Sequence, residues 1–392
     1  MIPFREALDF VLNHAPRMES EPCRLEKACG RVLRQDVRAD RAFPPFDRVM
    51  MDGYGLRAAD LESDRIFSVT GSAPAGMPQV VMSEELGTCI EVMTGAPVPE
   101  GADCIVPVER TSHKDGHTII VESSFETKAG LFIHRAGSDA AEGAPLLESG
   151  VLLGSREIGV AASCGAAVVM VSKQPRITLI PTGDELVAVD ALPAPHQIRQ
   201  SNGHAIRAAL QSAGFPSALK EPLRDDASAD DLQADLESSD WLIFTGAISK
   251  GARDFLPALL DNLGCTKVFH GVAQRPGKPA GFWRGPQGQA IMALPGNPVS
   301  ALTGLHAFVL PALTVGSGLP RPTPRLVVSA TPFAGLQEMT QHLPVAFSPD
   351  GRVHAAPTDN SGDFIGLLRS DGFVTLPPRG SVQTAYPYTP WQ

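Results

Sequence analysis

From about residue 174 the chain alternates short apolar runs with helix-patterned segments, and that alternation restricts the fold more than any other feature. Residues 176–180, 241–244, 267–270 and 289–293 read as strands, the first of the buried type. Residues 202–212, 229–237, 255–262 and 298–310 carry helical spacing. Strands alternating with helices predict a mostly parallel, doubly wound α/β sheet. Such sheets bind ligands beyond the carboxyl ends of their strands. The turns at 181–185, 245–251 and 294–297 each follow a strand and are therefore expected to converge on one crevice.

Elsewhere the pattern differs. Residues 3–15 have helical spacing and stop before Pro16, and 41–57 are rich in turn formers and read as irregular. Between about 65 and 140, short runs at 65–70, 104–107 and 118–121 are split by Gly and Pro, which predicts a small β-rich domain. Residues 155–164 return to helix. A Pro/Gly-rich linker at 316–324 precedes short strand-like runs at 326–329, 343–348, 353–355 and 373–376.

A chain of 392 residues is too long for one core. Its net charge of −10 argues against a general nucleic-acid binder, because phosphate neutralisation needs a basic face. No membrane span and no signal peptide are expected, and the compartment is read as cytoplasmic. The six cysteines form no CxxC pair and read as buried free thiols. His113 and His117 enclose Lys-Asp-Gly, which predicts a hairpin turn rather than a helical metal site.

Two loops, Arg275-Pro-Gly-Lys-Pro279 and Leu294-Pro-Gly-Asn-Pro-Val-Ser300, lie about one strand apart, and the second opens a helix. Proline is preorganised at a first helical turn. A helix N-terminus beside Arg275 and Lys278 is a seat for an anion. The turn at 245–251 adds glycines and hydroxyls, but its spacing is neither a P-loop nor a Rossmann fingerprint, and no nucleophile elbow is present. Loop carboxylates accompany these turns: Asp52, Asp139, Asp184, Glu185, Asp225, Asp226 and Asp254. A hard cation such as Mg²⁺ is held by one or two such groups together with substrate phosphate oxygens.

These motifs, in this order, resemble the molybdopterin molybdenumtransferases, the MoeA/gephyrin E-domain family. The markers are Phe43-Pro-Pro-Phe-Asp47 with Met51-Asp-Gly-Tyr54, Thr94-Gly-Ala-Pro-Val-Pro-Glu-Gly-Ala-Asp103, Pro181-Thr-Gly-Asp-Glu-Leu186 and Ser201-Asn202. The 245–251 turn, the two loops above and Asn360-Ser-Gly-Asp363 complete the set, which spans residues 4–378. The resemblance implies four domains: an elongated discontinuous one (1–45 and 141–173), an inserted β-rich one (46–140), a central doubly wound α/β molybdopterin-binding one (174–318) and a small C-terminal β-barrel (323–392).

It also implies a homodimer whose cleft takes its inserted domain from the other subunit. The implied activity is Mg²⁺-dependent insertion of molybdate into adenylylated molybdopterin with release of AMP, the final step of molybdenum cofactor biosynthesis. A molybdopterin adenylyltransferase would act upstream, and molybdoenzymes or their chaperones would receive the product; no nucleic acid and no membrane enter the reading.

Carried over by position, Asp52, Asp139, Glu185 and Asp254 are the expected catalytic acids. Glu185, Asp254 and Asp225 or Asp226 are the expected metal ligands. Thr94, Gly246, Ser249, Gly251, Arg275, Lys278, Pro295, Gly296, Asn297 and Ser300 are the expected substrate contacts.

Several positions depart from the family pattern. Arg275 stands where lysine is usual, Ala247 replaces the second glycine of its turn, and Lys250 adds a cation there. Residues 336–344 contain no arginine where many members carry an arginine-rich oxyanion segment, leaving Arg253 or Arg352 to compensate. That absence motivates a second reading, a non-catalytic molybdopterin carrier or scaffold. A nucleotide-cleaving hydrolase built on the same α/β domain is a third.

Overall fold

A computed structural model describes residues 1–246, 248, 255–378 and 385–391. It divides into two compact units. One comprises Met1–Gln35, Ser149–Gly154 and Val168–Gln392; the other comprises Asp36–Glu148 and Ser155–Ala167.

The first unit is organised by three five-residue strands, Ile177–Pro181, Trp241–Thr245 and Ala290–Leu294, in which every residue is buried. They run parallel as neighbours, and Ser217–Leu219 adds a fourth parallel strand. Alternate side chains serve opposite faces, as the two-residue strand period requires. Ile177, Leu179, Trp241, Ile243 and Met292 join one core with helices Phe4–His14, Asn202–Ser212 and the segment from Pro298. Ile180, Leu242, Phe244 and Ile291 join the other, under helices Ala229–Ser238 and Leu256–Asn262. Coverage of both faces is why these strands read as continuous apolar runs.

The far edge departs from expectation. Gly281–Arg284 and Thr266–His270 extend the sheet antiparallel, so the loop at 275–279 and the turn at 294–297 are separated by two strands rather than one. The helix from Pro298 also runs past residue 310, as far as Gly316. Pro311 reads as a stop, but a wider π turn at Leu305–Val309 places it in the first turn of a new segment, Leu310–Gly316, where a missing N–H costs little. This helix is apolar enough to cross a membrane by composition, with mean hydropathy 1.6, yet 83% of it is buried in the core.

Strands Arg325–Val328, Thr340–Phe347, Val353–Ala355, Gly372–Leu376 and Ala385–Pro390 form the C-terminal β domain. A bridge between Ser329 and Val353 closes its strand path into a barrel. The barrel sheet does not end with its own strands. Val272–Arg275 pairs in parallel with it, Gln274 opposite Thr340 and Arg275 opposite Gln341, and Ile2–Pro3 pairs beyond.

The second unit holds a six-stranded mixed sheet in the order Cys104–Pro107, Gly53–Leu56, Thr88–Val92, Ile66–Ala73, Thr118–Val121, Thr111–Asp115. The last two strands form the hairpin expected around residues 113–117. Residues 41–57 are not irregular throughout, since Gly53–Leu56 is a fully buried interior strand. Its sequence, Gly-Tyr-Gly-Leu, hides this, because glycine is a poor strand former. Glycine is required here by close approach: a Cβ on Gly53 would lie 2.0 Å from the Val106 carbonyl oxygen.

The thiols are also less uniform than expected. Cys89, Cys104, Cys164 and Cys265 are buried, but Cys29 is exposed and Cys23 half-buried. Burial pushes Cys89 up to about 12 and Cys104 and Cys265 up to about 11, so these three stay protonated and unreactive.

Candidate substrate-binding site

The three expected turns follow adjacent parallel strands of the first unit, and backbone contacts tie them together. The Thr182 amide donates to the Thr245 carbonyl at 2.9 Å, and the Gly246 amide donates to Leu294 at 3.0 Å. Gly246 has φ of +103°, and a Cβ there would lie 2.5 Å from Thr182 Oγ1 and 2.7 Å from the Thr182 carbonyl oxygen. A Cβ on Gly296 would in turn reach the Gly246 Cα at 3.6 Å. Only glycine permits this packing, which brings Gly246, Pro295 and Gly296 together at the carboxyl edge of the sheet. Ser249, Gly251 and Asp254 lie outside the described residues.

Side chains from elsewhere brace the same edge. Asn202 Nδ2, at the start of its helix, donates to the Gly296 carbonyl at 2.6 Å. Asn297 Nδ2 donates to Ser361 Oγ at 2.7 Å, and the Val299 amide donates to the Ser361 carbonyl at 3.1 Å. The helix N-terminus is thus partly engaged by the Asn360–Asp363 loop rather than fully open to an anion. Ser300 is buried, 3% exposed, and its carbonyl lies 3.7 Å from where a Gly277 Cβ would stand, which joins the 275–279 loop to this turn.

Arg275 and Lys278 are exposed, and neither has an ion-pair or hydrogen-bond partner among the described residues. The loop backbone that carries them is fixed, because the Val272 amide donates to the Lys278 carbonyl at 2.9 Å and Ala280 to Gly277 at 3.1 Å. Two cations on a fixed backbone, with no carboxylate paired to them among the described residues, suit an anionic ligand. Arg352 does not join them; it pairs with Asp350 at 3.7 Å.

The acids of this unit sit on the neighbouring turn. The Glu185 carboxylate is exposed, has no partner among the described residues, and folds back so that a Gly183 Cβ would meet Oε2 at 2.6 Å. Asp184 accepts the Asp225 amide at 3.3 Å, which ties residue 225 to the 181–185 turn. Asp226 is exposed and pairs with Arg224 at 3.2 Å. No group of three or more His, Cys, Asp or Glu among the described residues is arranged to hold a metal alone. The donors present fit a hard cation that completes its shell with water and substrate oxygens.

In the second unit, short strand Arg48–Val49 organises the remaining acids. The Thr94 amide and hydroxyl both donate to Asp52 Oδ1, at 2.7 and 2.8 Å, and hold that carboxyl below its usual range. Arg48 donates to His134 Nδ1 at 3.1 Å. An arginine cannot accept, so the His134 proton lies on Nε2 and points at Asp139 Oδ1, 2.8 Å away. This bond holds Asp139 below the carboxylate range as well. Arg48 and His134 are register partners, and the Gly95 amide donates to Val49. Asp52, Thr94, His134 and Asp139 therefore cluster around one strand.

Residues 2–165 match the model of the MoeA N-terminal region, domains I and II, and residues 178–315 match a probable molybdopterin binding domain. A molybdopterin molybdenumtransferase from Synechocystis is 36% identical, over the whole of both chains. The chain belongs to the molybdopterin molybdenumtransferase, or MoeA, family. A second member, from Bacillus subtilis, is 31% identical over 96% of this chain and 90% of its own. The crystal structure of a molybdopterin biosynthesis MoeA protein from Pyrococcus horikoshii superimposes with a TM-score of 0.82 at 24% identity, over the whole of both chains, and shares the fold.

Within this MoeA chain, sequence reasoning missed four braces: Asn202, Ser361, His134 and Gln274. Asn202 and Ser361 stood inside recognised motifs, but the partner of each lies 64 to 94 residues away. A cavity of about 890 Å³, bordered by Phe4, Leu8, His306 and Tyr388, takes none of the expected site residues in its lining.

Proposed function

We propose that this MoeA-family protein inserts molybdenum from molybdate into adenylylated molybdopterin, with a divalent cation such as Mg²⁺ and with release of AMP. The observation that carries the reading is the joined edge of turns at Thr182, Gly246, Gly296 and Gly277, with Arg275 and Lys278, unpaired among the described residues, beside it. Glycine-lined backbone admits a phosphate closely, and the two cations bind its charge. Glu185 and Asp225, together with Asp254, are assigned to hold the cation. When bound, that cation withdraws charge from the pyrophosphate oxygens. Asp52 and Asp139 stay ionised because Thr94 and His134 donate to them, so they accept hydrogen bonds rather than supply protons. The reading includes a homodimer in the cytoplasm, the four domains set out above, and an upstream adenylyltransferase.

The test is AMP release from adenylylated molybdopterin and Mg²⁺, with and without molybdate. Molybdate-dependent release is expected. The lack of arginine at 336–344 favours the carrier as a second reading, and tight pterin binding without release would select it. Release indifferent to molybdate would select a hydrolase.

A further inference from the structure

Gln274 precedes the cationic loop by one residue, yet it is fully buried, and its side chain faces the C-terminal barrel. Its Nε2 donates to the Gly277 carbonyl at 3.2 Å, within the loop itself. Its Oε1 lies 3.3 Å from His342 Nε2, and His342 Nδ1 lies 3.1 Å from Thr375 Oγ1. These contacts settle the direction of every bond. Gln274 must present its NH₂ to a carbonyl, so its oxygen accepts from His342 Nε2–H, and Nδ1 then accepts from the Thr375 hydroxyl.

His342 is 2% exposed and packed edge-on by Phe4 and Phe373, at ring distances of 4.8 and 5.3 Å. Burial lowers its pKa to about 3, which keeps the neutral form that this chain of bonds requires. Gly277 itself is wedged, since a Cβ there would lie 2.7 Å from Gln274 Nε2. Backbone pairing runs alongside, with Gln274 opposite Thr340.

We infer that Gln274, His342 and Thr375 are positioning residues: a buried, one-directional chain of hydrogen bonds by which the C-terminal barrel sets the conformation of the Arg275–Lys278 loop for anionic substrate. The inference rests on the reading of that loop as an anion site. It gives the barrel a part in substrate affinity without any barrel residue touching the substrate. A buried network of this kind specifies one geometry because each polar atom has only one partner within reach.

Steady-state AMP release by the full chain, with adenylylated molybdopterin varied, separates KM from kcat. The double variant Gln274→Leu/His342→Phe replaces both members of the central bond by apolar groups; the Gly277 carbonyl keeps the Ala280 amide, and only the half-buried Thr375 hydroxyl loses its acceptor. It is expected to raise KM about tenfold with kcat within about twofold, and to make Lys278→Ala cost less than it costs alone. His342→Gln, whose amide keeps a donor facing Gln274, is expected to recover part of the affinity.

An unchanged KM in a folded double variant, or a Lys278→Ala penalty that adds in full, overturns the inference and leaves the anion reading standing. If Lys278→Ala alone leaves KM unchanged, the anion reading falls and takes the inference with it. Should the double variant fail to fold, Thr375→Val removes only the far hydroxyl. A KM raised about threefold and restored by Thr375→Ser supports the chain, and an unmoved KM overturns it.

Discussion

The two groups of candidate site residues are built in opposite ways. At the carboxyl edge of the parallel sheet, backbone groups bond one another from Thr182 to Thr245 and from Gly246 to Leu294, and the charged side chains Glu185, Arg275 and Lys278 are left to solvent. Around strand Arg48–Val49, the side chains bond one another, Thr94 to Asp52 and His134 to Asp139, and their charge is already committed. The first arrangement stores its precision in glycine geometry and keeps its charges for a ligand. The second spends hydrogen bonds to keep two carboxylates ionised and oriented.

The comparison breaks most visibly at Gly246. Gly246→Ala puts a methyl against the Thr182 backbone at positive φ, and should cost about 3 kcal/mol or more in denaturant unfolding. A near-neutral value would mean that the turns are not fixed as described. Next in size is Lys278→Ala, which should weaken adenylylated molybdopterin binding by about 30-fold, the scale of one charge-assisted contact, with stability unmoved because Lys278 has no partner to lose among the described residues. A titration showing equal dissociation constants would remove it from the site.

Smaller effects sharpen the contrast. His342 stays neutral in the folded protein down to about pH 3, whereas an exposed histidine titrates near ~6.5. Between those values the unfolded chain binds the extra proton, so stability falls as pH is lowered, by up to about 1.4 kcal/mol per pH unit. Unfolding free energies from pH 7 to 4 should show a shallower acid slope in His342→Phe; parallel slopes would count against a buried neutral imidazole. The smallest change is expected from Thr94→Val. It keeps the amide donor and loses the hydroxyl, so Asp52 should titrate somewhat closer to its ordinary value by NMR, with unchanged melting. Asp52 contributes above its unfolded pKa and loses that contribution as pH falls, so any destabilisation by Thr94→Val would show near neutral pH and fade on the acid side.

The α/β core was legible because its strands are buried on both faces and its helices keep a single apolar stripe. Trp241–Thr245 could hardly be read otherwise. Gly53–Leu56 was not legible, since a strand of alternating glycine carries no periodic signal and owes its place to the approach of Val106. Val272–Arg275 was missed for a different reason. A polar glutamine before Arg-Pro-Gly-Lys carries no strand signal, and its partner His342, itself bonded to Thr375, lies 68 residues onward. In the candidate site, glycine-rich turns and loose charges advertised themselves as motifs. Asn202 and Ser361 stood inside motifs too, yet their bracing role did not show, nor did that of His134, because a brace is defined by what it reaches and not by its neighbours in sequence.

The π turn at Leu305–Val309 has a consequence for how this helix tolerates insertions and deletions. Such a turn amounts to one residue inserted into an α-helix, and each α-helical residue advances the azimuth by about 100°. Deleting one residue there would restore a regular α turn with Ala312, Leu313 and Val315 still facing the core, at the cost of Pro311 in a helix interior. A deletion elsewhere in the helix would swing them off it by about 100°. A single-codon loss should therefore be tolerated better within Leu305–Val309 than within Pro298–Gly304.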